Sequence, residues 1–303
     1  PSSTAFASRP CRMRNPDKPL PLRDALLRFF PAFDPTAAGE QHPIARLCAH
    51  IDHMSHLRYG WASTEDAFDA EMEMLCDLLD EAEAPYFIRY IVSRDILVVP
   101  EYFAKWSKRV QGLGIELCYG GTQDQRFWAI EPYFTGEGSA LVDVGCGKGF
   151  YLLRLASRYK HVIGFEAQGM ERERAAQAMA ADGIVHVSLE GAFRKQLLPE
   201  HADVLLTEVV EHIPYSQAIE LVQAVSRQRP RLFVITAPNR EFNPHYRIDK
   251  GFRHQDHKWE PTRAEFVEFV RTATRGHALE VRFRAVGDKV QGVPTSLMAV
   301  VSC

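Results

Sequence analysis

No apolar run among the 303 residues is long enough to span a bilayer, so a transmembrane helix within this sequence, and with it a membrane partner, is excluded. Cysteines are few. The six present are scattered without CxxC spacing, which indicates neither a disulfide framework nor a zinc ribbon, and a reducing cytoplasm is the simplest compartment. Net charge is also small. With 36 Lys and Arg against 39 Asp and Glu, the balance of -3 argues against binding along a duplex, which needs many phosphate contacts. Recognition of a nucleic-acid end by a local basic patch stays open. The first residues lack the apolar core of a secretory signal. Residues 1–19 are polar and rich in Ser, Arg and Pro, and read as a disordered tail.

What is present is ordinary soluble material, 46% hydrophobic and 25% charged, in a length suited to one large α/β domain with an appendage or to two small domains. Residues 20–120 read as a mainly helical N-terminal region. Helical apolar spacing covers 20–30 and 43–57, the latter through Ile44, Leu47, Ile51 and Met54. Ser63 and Asp66 resemble a capping box for a helix over 65–83, whose Phe68, Met72, Leu75 and Leu79 share one face. The rest of that helix is acidic, with no Lys or Arg. It reads first as a solvated face, and second as a docking surface that would give the N-terminal region a protein partner. His50, His53 and His56 follow an i, i+3, i+6 spacing and stay unassigned. Periodicity does not decide between helix and strand for 85–99. The glycines of 111–121 mark the boundary, and residues 121–303 form the second domain.

That domain opens with a strand, Leu141-Val142-Asp143-Val144, running into Gly145-Cys146-Gly147-Lys148-Gly149 and a helix from Phe150. Glycines are required where the backbone turns sharply and a ligand lies directly against it. A second strand over 161–165 ends at Glu166, about twenty residues beyond the glycines, where an acid can bind a ribose diol. Strand, glycine loop, helix and acid together indicate a nucleoside cofactor. The dinucleotide pattern GxGxxG fits badly, because Gly149 follows Gly147 too soon.

A second constellation is Thr207-Glu208-Val209-Val210-Glu211-His212-Ile213-Pro214. The apolar run before it suits a strand covered on both faces, and Pro214 precedes a helix carrying Ala218, Leu221, Val222 and Val225 on one face. Glu208, Glu211 and His212 therefore sit at the carboxyl edge of a sheet, where ligands of open α/β folds bind. Carboxylates with imidazole suit Mg²⁺, Mn²⁺ or Zn²⁺, and a solvated loop with a capping acid is the bland alternative. Downstream, Thr236-Ala237-Pro238-Asn239 follows a further strand. Phe252-Arg253-His254-Gln255-Asp256-His257-Lys258-Trp259-Glu260 then forms an insertion unusually dense in Arg, His, Asp and Trp, of the kind that tends to be functional.

The loop Asp143-Val-Gly145-Cys-Gly147-Lys-Gly149 resembles the first motif of class I S-adenosylmethionine-dependent methyltransferases. The resemblance implies an α/β, doubly wound, mostly parallel seven-stranded Rossmann-like sheet, with strands over 184–189, 204–208 and 231–236, a helix over 262–274, and an antiparallel pair at 278–285 and 296–302. It assigns Asp143, Gly145, Gly147, Gly149 and Glu166 to S-adenosylmethionine. The three later motifs, Glu-x-x-Glu-His, Pro-Asn and Arg-His-x-Asp-His-Lys, are together similar to the RNA 3′-terminal ribose 2′-O-methyltransferases of the plant HUA-enhancer type and their bacterial RNA-repair relatives. This second resemblance covers roughly residues 124–303. It implies one divalent cation, Mg²⁺ or Mn²⁺, held by Glu208, Glu211, His212 and His257, with His254 as rival for the fourth place.

The implied activity is methyl transfer to the 2′-hydroxyl of an RNA 3′ end, with His212 and His257 catalytic. Arg253, Lys258 and Arg263 are the candidate RNA phosphate contacts, each weighed against a surface ion pair. Trp259 reads as a packing residue before a stacking platform. Two other functions compete with this one. One is a metal-free methyltransferase for a small molecule or protein, the other a non-catalytic subunit binding the cofactor or RNA.

Overall fold

The computed structural model describes residues 41–50, 65–84, 86, 88–90, 100–246, 248–277 and 280–302. The chain divides into two compact units, Pro1–Trp106 and Ser107–Cys303. The helix expected over 20–30, as well as His53, His56 and Ser63, lies outside the described residues. In the first unit, residues 43–50 are helical and α1 spans Glu65–Glu81. Leu75, Cys76, Leu78 and Leu79 of α1 are buried, while Glu73, Asp77 and Asp80 are exposed, so these three acids occupy the solvated side. His50 is buried and its Nε2 lies 2.8 Å from the Glu71 carbonyl oxygen, a structural role. Residues 88–90, left undecided by periodicity, are helical.

The second unit is built on one eight-stranded sheet: β1 (Ile115–Glu116), β2 (Leu141–Val144), β3 (Val162–Phe165), β4 (Val187–Glu190), β5 (Asp203–Thr207), β6 (Leu232–Pro238), β7 (Glu280–Val290) and β8 (Val293–Ser302). Their spatial order is β1-β7-β8-β6-β5-β2-β3-β4, with β4, β3, β2, β5 and β6 parallel and β8, β7 and β1 antiparallel. Every residue of β2, β5 and β6 is buried, as parallel strands covered on both faces require.

Alternate residues of these strands serve different cores. Val204 and Leu206, with Phe233 and Ile235, meet α5 (Tyr215–Ser226) and α6 (Arg263–Thr274) through Ala218, Val222, Phe266 and Phe269. Leu205 and Val234 face the other way, into a cluster containing Phe127 and Ile130 of α2 (Thr122–Ile130), Leu152 and Leu155 of α3 (Phe150–Leu155), and Met179 of α4 (Gly169–Ala181). Each fully buried Leu, Val or Phe contributes roughly 1.5–3 kcal/mol. A capping box starts α6: the Glu265 N–H donates to Thr262 Oγ1 at 3.3 Å, and the Thr262 N–H to Glu265 Oε2 at 2.7 Å.

Three differences from the sequence expectation matter. The sheet has eight strands, not seven, because Ile115–Glu116 pairs antiparallel with β7. The second unit accordingly starts at Ser107, ahead of the glycine-rich 111–121 stretch taken as a boundary. A two-residue strand carries no periodicity, and glycines on both sides mask it. Asp288 fixes this segment instead, accepting hydrogen bonds from the Cys118 N–H at 2.7 Å and from Gln125 Nε2 at 3.1 Å. Finally, the closing strands are longer than expected and turn at Gln291 and Gly292, both at positive φ (49° and 81°), the geometry of a tight hairpin. Among the described residues no helix is long and apolar enough to cross a membrane.

Candidate active site

β2 pairs with both β3 and β5, so the sheet's order reverses at β2 and a crevice opens at the carboxyl ends of β2 and β5. The glycine loop leaves β2 there. Gly145, Gly147 and Gly149 take φ of 79°, 51° and 80°, a region that favours glycine. A Cβ on Gly145 would stand 2.4 Å from Val209 Cγ2, whereas one on Gly147 would meet nothing within 4 Å. Gly145 is thus demanded by packing, and Gly147 faces open space. That space is a cavity of about 490 Å³ lined by Gly145, Gly147, Arg126, Tyr151, Thr207 and Glu208 among others, a size suited to a nucleoside-bearing ligand.

Glu166 lies at the end of β3, where its carboxylate accepts hydrogen bonds from the N–H groups of Gly147 (2.9 Å) and Gln168 (2.7 Å). Asp143 is fully buried with neither carboxylate oxygen hydrogen-bonded, and burial, followed by the charge of Glu166, pushes its pKa up to about 7.

The acid and imidazole group gathers beyond β5, in a short turn over Val210–His212. Glu211, His212 and His257 each offer a ligand atom, and these atoms lie within 4.8 Å of one another. Glu211 is 1% exposed and its Oε2 has no hydrogen-bond partner. Burial first, then the charge of Glu208, raises its pKa well above the carboxylate range. The rings of His212 and His257 meet edge to face at 4.7 Å between centroids.

Both imidazoles are oriented from behind by carboxylates: Nδ1 of His257 is 2.5 Å from Glu260 Oε1, and Nδ1 of His212 is 3.0 Å from Asp256 Oδ2. Their Nε2 atoms are left for a ligand. A buried carboxylate with an oxygen that lacks a hydrogen-bond partner, grouped with two imidazoles, is a donor set that fits a divalent cation. Burial lowers the pKa of His212, with Asp256 opposing that shift.

The sequence expectations can be placed against this geometry. His257, rather than His254, joins the group: His254 is 62% exposed and turned to Asp256. Glu208 does not join it. Its carboxylate receives Arg126 Nη1 at 2.8 Å and Thr236 Oγ1 at 2.9 Å, and its backbone is held at a φ of 53°. Arg253 is not a free phosphate ligand either. Its Nε donates to Asn243 Oδ1 (2.7 Å), its Nη1 to the Thr295 carbonyl (2.8 Å) and its Nη2 to the Asn239 carbonyl, which consumes the guanidinium in bracing the insertion.

Lys258 and Arg263 are exposed, as a phosphate contact requires. Trp259 packs: its Nε1 donates to the Val210 carbonyl at 2.8 Å, and its ring meets Tyr215 and Phe269. Arg253→Ala is therefore expected to lower stability by about 3 kcal/mol, with Lys258→Ala and Arg263→Ala each within about 0.5 kcal/mol of the parent in denaturant titrations. An Arg253→Ala protein as stable as the parent would return Arg253 to the list of surface contacts.

Sequence reasoning missed Glu260, Arg126 and Tyr151. Glu260 is 1% exposed and holds Asn243 (2.7 Å) and the Arg253 N–H (2.7 Å) as well as His257. Burial works to raise its pKa, but these hydrogen bonds, led by that of His257, hold it below the usual carboxylate range. Its place three residues after His257 was the available signal. Arg126 and Tyr151 had none, since their meeting with Glu208 depends on α2 and α3 packing under the glycine loop.

Glycine loop, switch-point cavity and sheet order together define a class I methyltransferase domain. Residues 141–228 match the family described as a methyltransferase domain. Within that class the chain is similar to small RNA 2′-O-methyltransferases. Over 115 residues it is 38% identical to a small RNA 2′-O-methyltransferase of Caenorhabditis elegans, a match covering 36% of this chain and 26% of that protein. The solved small RNA methyltransferase HEN1 is 27% identical with a TM-score of 0.54, covering 60% of this chain and 26% of that one. A chain from a Pnkp1/Rnl/Hen1 RNA repair complex shares the fold, with a TM-score of 0.67 at 22% identity over 86% of this chain and 61% of that chain. The chain spans about a quarter of the length of its curated relative.

Proposed function

We propose that this chain transfers a methyl group from S-adenosylmethionine to the 2′-hydroxyl of the 3′-terminal ribose of RNA, with a divalent cation held by Glu211, His212 and His257. The observation that carries the reading is the grouping of these three side chains at the same sheet edge as the glycine-loop cavity. The likeness to small RNA 2′-O-methyltransferases supports the RNA substrate. When bound, a cation would supply Lewis-acid activation of the terminal ribose hydroxyls, which are poor nucleophiles at neutral pH.

The chain's own residues supply the rest. Gly147 lets the donor lie against the backbone, and Glu166 stands where its ribose would be held. Glu260 and Asp256 hold the two imidazole rings through Nδ1, which leaves each Nε2 for the cation. His212 is the more exposed of the two histidines, so the site opens to solvent on its side and the hydroxyl proton is lost there. Lys258 and Arg263 are left to meet backbone phosphates. A terminal nucleotide is selected because only there are two neighbouring hydroxyls free.

The test is transfer of labelled methyl to short RNAs ending in a 2′,3′-diol, with and without chelator, scored by resistance of the product to periodate. Labelling that disappears with chelator, and on RNA whose last nucleotide is 2′-deoxy, is the expected result. Labelling of the 2′-deoxy RNA at the parent level would overturn the terminal-ribose assignment, and chelator-resistant labelling would remove the cation.

A further inference from the structure

The segment that carries His257 has a second face. Glu260 holds Nδ1 of His257, the ring edge turned away from the cation group, and the same residue backs an open pocket of about 370 Å³. The other walls are Tyr215, Trp259, Arg240, Glu265 and Glu268, and the size falls in the range of small-ligand sites. The pocket is built from the same two stretches as the cation group. Tyr215 follows His212 by three residues, and Trp259 follows His257 by two.

Tyr215 opens α5 directly after Pro214, and its ring is held edge to face by Trp259 (5.0 Å between centroids) and at a tilt by Phe269 (5.7 Å). Trp259 is fixed in turn by its bond to the Val210 carbonyl. Tyr215 is nonetheless 47% exposed. A ring already fixed from two sides loses little further freedom when a flat ligand stacks on it.

The rim is polar in both senses. Arg240 Nη2 donates to both oxygens of Glu265 at 2.8 Å, and Glu268 Oε1 accepts from Thr272 Oγ1 at 3.0 Å. That leaves N–H groups on Arg240 and lone pairs on Glu268, and a nucleobase edge presents acceptors and donors to match. Arg240 neutralises Glu265, while Glu260 is engaged by His257, Asn243 and the Arg253 N–H, so little negative charge remains to select a cationic side chain instead.

We propose that this pocket takes the base of the penultimate RNA nucleotide, stacked on Tyr215, while the terminal ribose occupies the cation group on the other side of His257. The inference rests on the RNA substrate of the proposed function and names a subsite for its second nucleotide. Lys258, exposed between His257 and Trp259, stands where the phosphate joining the two nucleotides would pass. Stacking serves every base, so the pocket adds affinity for an RNA end without choosing its sequence.

The experiment has two arms, both on the full chain with short single-stranded RNAs ending in a 2′,3′-diol. In the first, 5-iodouracil replaces the penultimate base, S-adenosylhomocysteine stands in for the donor so that no transfer occurs, and the complex is irradiated and mapped by mass spectrometry. A cross-link to Tyr215 is expected, and none when the iodouracil is placed five nucleotides upstream. Absence of that cross-link, or an equal yield from the upstream base, overturns the pocket.

The second arm reads KM for methyl transfer. Tyr215→Leu keeps an apolar side chain against Trp259 and Phe269 but removes the stacking face. It is expected to raise KM for RNA about 10-fold, the scale of one base stacked on an aromatic ring, with Tyr215→Phe close to the parent. On RNA lacking the penultimate base, KM should be raised already in the parent and rise no further in Tyr215→Leu. An unchanged KM on intact RNA, or an equal rise on the abasic RNA, would make Tyr215 a packing residue and overturn the contact. If no RNA is methylated, the proposed function falls while the cross-link still judges the pocket. Methylation of the terminal ribose with no cross-link leaves that function standing and removes the pocket.

Discussion

Replacing His257 by Ala is expected to lower methyl transfer about 10³-fold, the scale of several kcal/mol of lost transition-state stabilisation, while leaving S-adenosylhomocysteine affinity unchanged. His257 is the imidazole whose ligand atom falls with those of Glu211 and His212, and Glu260 locks its ring from a fully buried position. His254 differs in every respect that bears on function: it is mostly exposed, paired with an exposed Asp256, and outside the group. His254→Ala should therefore retain most of the parent activity. Glu260→Gln keeps the volume and an acceptor but loses the charge behind His257, and an intermediate loss of about 10–100-fold is expected. The measurement is single-turnover labelling at saturating donor, with donor affinity taken separately. If His254→Ala fell as far as His257→Ala, the geometric choice between them would be wrong; if neither fell, the imidazoles would have no part in the transfer.

The parts of this site that were legible in sequence are those whose chemistry is local. The glycine loop, Glu166 and the Glu211-His212 pair each follow a strand end by a fixed number of residues, so their place at the sheet edge follows from the strand itself. What was not legible depends on which distant group a side chain meets. Glu208 read as a ligand because it sits in the motif, but α2 brings Arg126 to it from a part of the chain with no recognisable pattern. Arg253 read as a phosphate contact because the insertion is rich in charge. Three internal acceptors, two of them backbone carbonyls of Asn239 and Thr295, use its guanidinium up. Motif position already favoured His257 over His254, but not the reason, which is Glu260 behind its ring, whose burial no spacing rule reports. In the fold, the buried parallel strands were readable from apolar runs, whereas β1 was too short to leave a period.

The stability of the donor-free protein should fall as pH rises from 4 to 7, and Asp143 should be the reason. Its carboxyl is enclosed at the root of the glycine loop with no hydrogen bond to either oxygen, and burial above all, then Glu166, lifts its pKa from an ordinary 3.8 to about 7. Below about pH 4 the group is protonated both folded and unfolded, so it contributes no pH dependence there. Between the two pKa values the unfolded chain releases the proton and the folded one keeps it, so stability drops by about 1.4 kcal/mol per pH unit. Above about pH 7 both forms are ionised and the loss is complete. Asn at this position cannot ionise. The stability of the parent relative to Asp143→Asn should therefore decline by about 3 kcal/mol between pH 5 and pH 8, read from urea titrations at each pH. Using the difference between the two proteins cancels the contribution of every other titrating group that they share. Parallel curves for parent and variant would mean that Asp143 is ionised at little cost in the folded protein, through a partner or solvent at the loop. A declining difference would mean that the fold keeps a nearly neutral acid beneath the donor cavity, a strain of the kind that collects at functional sites.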